Sequence, residues 1–346
     1  MIRYRILKLF LVFLFVACSR NENYKVIKYL DYSPSLSAQK YPVENAGILN
    51  AQEIININDE YILISDEDDE AILKIFSLPD LRYQYSWGTE GRGPDEFPYI
   101  PLDKIQSYED KIVLNEIGKR ELRTYTVNDS TLLRENAESL SHNNQEGPLA
   151  DITFVTSDLY VAENGMVATD LENEFVALEP NNDSIKFLFG EFPETELRGY
   201  EKLFEFVKTT ESSPNGTKIA AFYLNHNLIA FYDNEGNLIN RFKVEEQHNF
   251  IKNREEGENY RYRKLLKTSN QYLYSLGYYN EREYINENIE SFQTTFEVWK
   301  WTGDLVFKAK FDTPIHNFTV SEKYGKIYAY SVLDMSNIYV FDLPDL

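Results

Sequence analysis

The sequence has 346 residues, enough for one large domain or two ordinary ones, and its 43% hydrophobic content is sufficient for a sizeable core. Aromatic residues account for 15% of the chain, and their broad rings favour β-strands. The formal net charge of −21 repels polyphosphate backbones and the sequence has no basic stripe, so we expect no nucleic-acid partner.

The first 17 residues have the pattern of a signal peptide. Basic residues precede an apolar run over residues 9–17, which is too short to cross a bilayer because a spanning helix needs about 20 apolar residues. Cys18, the only cysteine of the sequence, follows this run directly. Residues 15–18 resemble the lipobox of a Gram-negative lipoprotein, which implies removal of residues 1–17, lipid on Cys18 and a tether over residues 18–23. A plain secretory signal with an incidental cysteine is the alternative.

The rest of the chain contains a repeat of about 50 residues. Its clearest part is a short apolar strand that occurs six times, as YILISD, KIVLNE, LYVAEN, KIAAFY, YLYSLG and KIYAYS. Equivalent positions are Ile62, Ile112, Tyr160, Ile219, Leu273 and Ile327, separated by 50, 48, 59, 54 and 54 residues. A second apolar strand follows each copy, and Asn, Asp or Gly turns then lead into a further strand in most units.

This pattern predicts an all-β fold, a six-bladed β-propeller with four-stranded blades. Five units are complete, but the sixth ends at Leu346 without a fourth strand. The extended stretch at residues 24–30 has no unit of its own, so we expect this N-terminal strand to close the last blade and remove its free edge. Residues 24–346 would then form a single domain. Two charged segments, residues 194–208 and 244–264, are predicted to be loops with some helical turns.

Missing features exclude other repeat folds. The chain lacks the WD dipeptide of WD40 propellers, and its short apolar runs alternate with turns every eight to twelve residues instead of following a helical period.

Three sequence stretches, in order, resemble the TolB-like six-bladed propeller lipoproteins, relatives of NHL-type propellers. They are GTEGRGPDEF ending at Phe97, GEFP starting at Gly190, and SSPNGTKIA ending at Ala220. The resemblance implies the propeller fold and a cell-envelope location but little about activity. Residues 19–23 are not strongly acidic, so we expect the outer membrane, with the protein facing the periplasm.

The glycine-rich stretch at residues 87–97 is not a phosphate-binding loop. Such a loop needs its glycines between a strand and a helix, whereas this one runs through Pro94 towards another strand. We interpret it as the crossover from blade one to blade two, with Phe97 packed in the wedge between these blades.

Fourth-to-first crossovers and second-to-third loops emerge on the same face of a propeller, and binding residues usually lie on such loops. We predict binding residues on this face at Arg92, Asp95, Glu96, Tyr278, Tyr279 and Tyr284. The loop tyrosines could stack on a sugar ring or a peptide, although aromatic residues of a β-rich chain more often pack in the core.

Metal and nucleophile motifs are weak. The four histidines, 142, 226, 248 and 316, map to this face, but they lack the spacing of a zinc site. The acidic residues 66–70 could bind calcium but lack the calcium-loop pattern. The sequence also lacks a nucleophile elbow. We therefore assign no catalytic residue, metal ligand or cofactor, and bound calcium is the alternative to a metal-free protein.

Two functions remain open. The favoured one is a non-catalytic, monomeric binding or scaffold module for a peptide, a protein or a glycan. The alternative is a metal-dependent hydrolase or lyase of the lactonase type, with its site at the mouth of the central channel.

Overall fold

The computed structural model describes most of the chain beyond residue 23. The described residues are 24–28, 30–43, 46–67, 70–91, 93, 96–97, 104–116, 121–139, 152–164, 172–179, 184–245 and 260–346. The predicted signal peptide, Cys18 and the tether lie outside these residues.

Two strands, β1 (Lys25–Ile27) and β2 (Gln39–Pro42), precede six antiparallel sheets that form the blades of a propeller. Blade 1 has β3 (Ala51–Ile57), β4 (Tyr61–Asp66), β5 (Ala71–Ser77) and β6 (Arg82–Thr89), and blade 2 has β7 (Ile105–Tyr108), β8 (Lys111–Glu116), β9 (Glu121–Val127) and β10 (Leu132–Ser139). Blade 3 has β11 (Thr153–Thr156), β12 (Leu159–Glu163), β13 (Asn173–Glu179) and β14 (Ser184–Glu191), and blade 4 has β15 (Lys208–Ser212), β16 (Lys218–Tyr223), β17 (Leu228–Asp233) and β18 (Leu238–Val244). Blade 5 has β19 (Tyr260–Thr268), β20 (Tyr272–Glu281), β21 (Thr295–Lys300) and β22 (Leu305–Lys310), and blade 6 has β23 (Asn317–Ser321), β24 (Lys326–Ser331) and β25 (Asp334–Asp342).

The predicted six-bladed propeller is therefore confirmed, and each of the six repeated apolar strands is the second strand of a blade. These strands are apolar along nearly their whole length because both of their faces are covered by neighbouring blades. In β4 and β16, every residue after the first is buried. Leu73 of blade 1 and Ile112 of blade 2 belong to one apolar cluster, so the core lies in the wedges between blades.

A strand from the N-terminal part of the chain closes the last blade, as predicted, but it is not the one at residues 24–30. Closure is by β2, which pairs antiparallel with β25 and takes the place of a fourth strand in blade 6. By contrast, β1 pairs parallel with β18 and adds a fifth strand to blade 4. Blades 1 and 6 are neighbours in the ring, and β2 is nearer than β1 along the chain to β3, the first strand of blade 1. Strand β2 is therefore the one that lies within reach of the open edge of blade 6. Its sequence, Gln-Lys-Tyr-Pro, is polar and exposed, which is why the apolar pattern missed it.

Between these strands, the N-terminal segment follows the outer edge of blade 5. The amide N–H groups of Ser33 and Leu36 donate to the carbonyl oxygens of Lys308 and Lys310, at 2.8 Å and 2.9 Å. We call residues 24–43 the strap. Its described residues, 24–28 and 30–43, contact β18 of blade 4, β22 of blade 5 and β25 of blade 6 in turn.

Phe97, at the end of the glycine-rich crossover, packs as expected. Phe97 is buried, and its ring lies 5.6 Å from that of Trp87 in blade 1 and 6.3 Å from that of Tyr125 in blade 2. Gly88 has a φ of 80°, and a Cβ atom there would lie 3.3 Å from the Phe97 ring. A side chain at this position would meet both backbone strain and a close contact.

Among the described residues, two short helices interrupt the strands, α1 (Tyr200–Glu205) between blades 3 and 4 and α2 (Arg282–Glu287) between the second and third strands of blade 5. Helix α1 lies in one of the two segments predicted to leave the strand pattern. The end of the other segment, residues 260–264, is part of β19. In the described part of the chain, no helix is long and apolar enough to span a bilayer.

Candidate functional site

The predicted binding residues divide into three groups. Arg92, Asp95 and the predicted lipid carrier Cys18 lie outside the described residues. Glu96 turns back onto its own crossover, where its carboxylate accepts a hydrogen bond from the Gly93 N–H at 2.7 Å. The three tyrosines are brought together at blade 5.

Tyr278, Tyr279 and Tyr284 line a pocket of about 210 Å³. It lies between the strap, which supplies Tyr32, and the connection from β20 to β21, which contains α2. Because this connection joins a second and a third strand, the pocket is at the face that the sequence predicts.

A buried carboxylate, Glu297, supports this pocket from below. It accepts a hydrogen bond from the Tyr279 hydroxyl and from Arg263 Nε at 2.9 Å, and Lys308 Nζ lies 3.7 Å away. Burial alone would raise the pKa of Glu297, but Arg263 and Lys308 outweigh it and hold this pKa below its usual value. Burial also raises the pKa of Tyr279 well above its usual value, so the hydroxyl remains a hydrogen-bond donor. The contacts of Glu297 hold the Tyr279 side chain in place, and Tyr279 lines the pocket.

A larger cavity of about 560 Å³ occupies the central channel at the opposite end of the propeller. It is lined by the ends of the inner strands and by the turns between first and second strands in most blades. Asn58, Glu109, Asn215, Asn270 and Glu322 stand at these turns. The volume is in the usual range for a ligand site, roughly 300–1,000 Å³.

The charges that line this cavity are mainly negative. Four carboxylates line it, those of Asp59, Glu109, Glu211 and Glu322, and none forms an ion pair with a described Lys, Arg or His. Lys267 is the one basic side chain among the described lining residues, and its Nζ lies 3.1 Å from the buried carboxylate of Glu53.

Glu211 lies at the inner wall of the cavity. Its carboxylate accepts a hydrogen bond from Gln106 Nε2 at 3.3 Å. Burial raises the pKa of Glu211, while Lys104 and Lys267 oppose that shift. A cation next to this carboxylate would stabilise its charged form.

None of these channel residues was predicted from the sequence. The available signal was a charged side chain within an inner strand, as for Glu53 in β3, Glu211 in β15 and Lys267 in β19. No local motif indicates that β3, β15 and β19, which are far apart in the chain, lie around one channel.

Two of the four histidines, His226 and His316, lie among the described residues, and both contact other protein groups. His226 Nε2 lies 2.8 Å from Glu205, and its ring stacks on Phe206. His316 Nδ1 accepts a hydrogen bond from the Val332 N–H. His142 and His248 lie outside the described residues, and within those residues no three His, Cys, Asp or Glu side chains are grouped as metal ligands would be.

Of the acidic residues 66–70, Asp66 is buried. Its carboxylate accepts hydrogen bonds from the N–H groups of Leu49 and Asn50, and Lys74 Nζ lies 3.7 Å away. Asp66 therefore fixes the start of blade 1. Asp68 and Asp69 are outside the described residues.

Comparison with known families gives one decisive match. The TolB-like 6-blade propeller-like family matches residues 52–323 in sequence. The chain belongs to this family. The match starts in the first strand of blade 1 of this TolB-like propeller and ends just after the first strand of blade 6, so it spans most of the ring.

Solved structures share the fold of this TolB-like propeller at low sequence identity. A member of the DUF4221 family from Bacteroides vulgatus ATCC 8482 is 10% identical, with a TM-score of 0.61 over 89% of this chain and 97% of its own. A protein from Bacteroides fragilis NCTC 9343, named as a candidate exported protein, is 12% identical, with a TM-score of 0.56 over 92% of this chain and 99% of its own. At such identities the likeness concerns the fold alone. No curated protein matches the sequence.

Proposed function

We propose that this protein is a non-catalytic binding module of the cell envelope, and that it binds a positively charged segment of a peptide or protein in its central cavity. The observation that carries the proposal is the cavity lining, in which four carboxylates have no ion-pair partner among the described residues. A lysine or arginine side chain of a partner would supply the missing charge.

The geometry of the channel strengthens this attraction. Negative charges on the walls of a cleft of low dielectric concentrate the field and raise the local concentration of cations. The formal net charge of −21 acts in the same direction at longer range.

Aromatic side chains at the same mouth add a second kind of contact. Tyr108 and Phe154 both line the cavity, and their ring centroids are 4.8 Å apart. The faces of such rings attract ammonium and guanidinium groups. Lys267 lines the cavity, but its ammonium group is paired with the buried carboxylate of Glu53 and not with any of the four lining carboxylates.

The envelope location is part of the proposal. The signal sequence and the position of Cys18 support export and lipid attachment, with the propeller facing the periplasm from the outer membrane. The family match and the structural neighbour named as a candidate exported protein are in keeping with this location.

Binding of an acetylated tri-lysine peptide tests the ligand class. We expect the full chain in a non-ionic detergent to bind this peptide saturably in calorimetry, and a tri-glutamate peptide not to bind. Glu211→Gln should weaken binding by about tenfold, because one wall charge is lost. Glu287→Gln is the matched control, since it removes the same charge from the exposed surface of α2 at the other end of the ring, and it should have no effect.

A second variant covers the case in which Glu211→Gln fails to fold. Ser107 is exposed and lines the cavity, so Ser107→Lys would place a cation inside it and should abolish peptide binding. Equal affinities of Glu211→Gln and Glu287→Gln, or no binding of tri-lysine to the wild type, would contradict the proposal. Stoichiometric calcium or zinc in the same preparation would favour the hydrolase alternative.

A further inference from the structure

We propose that the pocket between the strap and blade 5 is a second binding site, and that it takes a neutral sugar ring. The pocket lies at the other end of the propeller from the central cavity and shares no lining residue with it. This proposal is therefore independent of the proposed function of the cavity.

The pocket combines aromatic faces with neutral polar groups. Tyr284 is 49% exposed, and Tyr278 and Phe292 lie beside it. The C–H face of a sugar ring packs on such aromatic rings, and its hydroxyl groups need hydrogen-bond partners around the rim. The neutral polar side chains that line the pocket are Asn280, Asn288, Ser291, Gln293 and Thr295.

The connection that carries these side chains is ordered by its own contacts. The Phe292 ring lies 5.9 Å from that of Tyr278 and 6.4 Å from that of Tyr284. Asn288 donates from its backbone N–H and from Nδ2 to the carbonyl oxygen of Tyr284, at 3.1 Å and 2.9 Å. Ile285 anchors α2 in the protein, with 7% of its surface exposed. A preformed pocket of this kind avoids much of the entropy cost of ordering on binding.

The strap supplies the opposite wall. Tyr32 is held in place because the next residue, Ser33, pairs with the backbone of Lys308 in β22. The Lys308 ammonium group lies 4.8 Å from the Tyr32 ring and 4.2 Å from the Tyr279 ring, so it links the two walls. The Tyr32 hydroxyl is 3.4 Å from Thr295 Oγ1. The pocket is complete only when the strap lies along blade 5.

The charges around the pocket are mixed. Lys310 lines it, whereas Glu283 and Glu287 stand on the nearby helix α2. Since neither sign dominates, a neutral ligand with many hydroxyl groups fits better than an ion. The central cavity, by contrast, has a mainly negative lining.

Two trisaccharides, maltotriose and triacetylchitotriose, serve as probes. The full chain is kept in a polyoxyethylene detergent, which contains no sugar, and binding is measured by calorimetry and saturation-transfer NMR. We expect saturable binding of at least one probe. Tyr284→Ala should weaken it by about tenfold or more, because the exposed ring face is lost.

Three variants separate stacking from a general loss of structure. Tyr284→Phe retains the ring and should retain the affinity, whereas Tyr32→Ala should weaken binding because the strap wall is lost. Tyr83→Ala removes a comparably exposed tyrosine from β6 of blade 1 and should have no effect. Glu211→Gln in the central cavity should leave sugar binding unchanged, so failure of one proposal does not imply failure of the other.

The proposal is overturned if neither trisaccharide binds, or if Tyr284→Ala and Tyr83→Ala have the same affinity. It is also overturned if a Trp-Gly-Gly peptide binds in the pocket and neither trisaccharide displaces it.

Discussion

Glu174 and Glu297 show how single charged residues are accommodated inside the apolar wedges of this protein. Glu174 accepts hydrogen bonds from the Tyr223 hydroxyl at 2.7 Å, and Lys208 Nζ and Arg241 Nη2 each lie 3.7 Å away. A buried carboxylate is stable only with such partners, because desolvation of an unpaired charge costs several kcal/mol. These clusters hold neighbouring strands and blades in register, and the Glu297 cluster also supports a candidate site.

His316 gives a pH-dependent prediction at the residue scale. Burial lowers the pKa of His316 from 6.5 to about 4, so it stays neutral in the folded protein where the unfolded chain binds a proton. Stability from this residue is present above pH 6.5 and is lost as the pH falls towards 4, by at most about 1.4 kcal/mol per pH unit. Between pH 7 and pH 5, we expect the wild type to lose about 1–2 kcal/mol more of its unfolding free energy than His316→Gln, measured by urea titration. Equal losses in the two proteins would show that His316 is not the responsible group.

The strap is the element that distinguishes this propeller from a ring of six self-contained sheets. Strand β2 supplies the missing fourth strand of blade 6, and Lys40 in this strand pairs with Asp334 at 3.0 Å. An edge left open at β25 would present unpaired backbone groups to solvent. Strand β1 has a smaller role, because blade 4 already has four strands before β1 is added.

Two truncated proteins distinguish these roles. A chain that starts at residue 31 lacks β1, and we expect its melting temperature to stay within roughly 3 °C of the wild-type value. A chain that starts at residue 43 also lacks β2, and we expect a loss of roughly 5–10 °C together with aggregation. Scanning calorimetry and size-exclusion chromatography measure both effects. Similar melting temperatures for the two truncated proteins would mean that β2 does not lock the ring.

At the scale of the whole molecule, the ring separates two candidate sites of different chemistry. The central cavity has an acidic lining and opens where the first-to-second turns meet. The pocket lined by Tyr278, Tyr279 and Tyr284, which we call the tyrosine pocket, has charges of both signs around it and lies at the opposite end. The strap starts beside blade 4 and passes the tyrosine pocket on its way to blade 6. If lipid is attached at Cys18, the chain that forms one wall of the pocket is also the chain that leads to the membrane.

Lipid attachment is tested on the intact protein. We expect the wild type to enter the detergent phase in Triton X-114 partitioning and Cys18→Ser to stay in the aqueous phase, because acyl chains supply the membrane affinity. Ser19→Ala is the control, since it alters the adjacent position and leaves the thiol in place. Detergent-phase partitioning of Cys18→Ser would contradict lipid attachment at this residue.

Much of the fold could be predicted because propeller repeats are local. Each second strand is buried on both faces and therefore reads as a continuous apolar run, and Phe97 follows a glycine pattern that a crossover requires. Tyr278, Tyr279 and Tyr284 could be grouped for the same reason, since the end of β20 and the helix after it place them close together in the chain. Strand β2 could not be identified in this way, because its residues are polar and its place depends on how the ring closes.

The sequence by itself determined the number of blades, the order of their strands and the closeness of the three tyrosines along the chain. Only the tertiary structure decided that β2 closes the ring and that Glu211 and Lys267 line one channel, with Glu53 buried beside Lys267. The physical reason is distance along the chain. Alternation of apolar and polar residues reports which face of a strand is covered, but residues from separate blades meet only through closure of the whole ring.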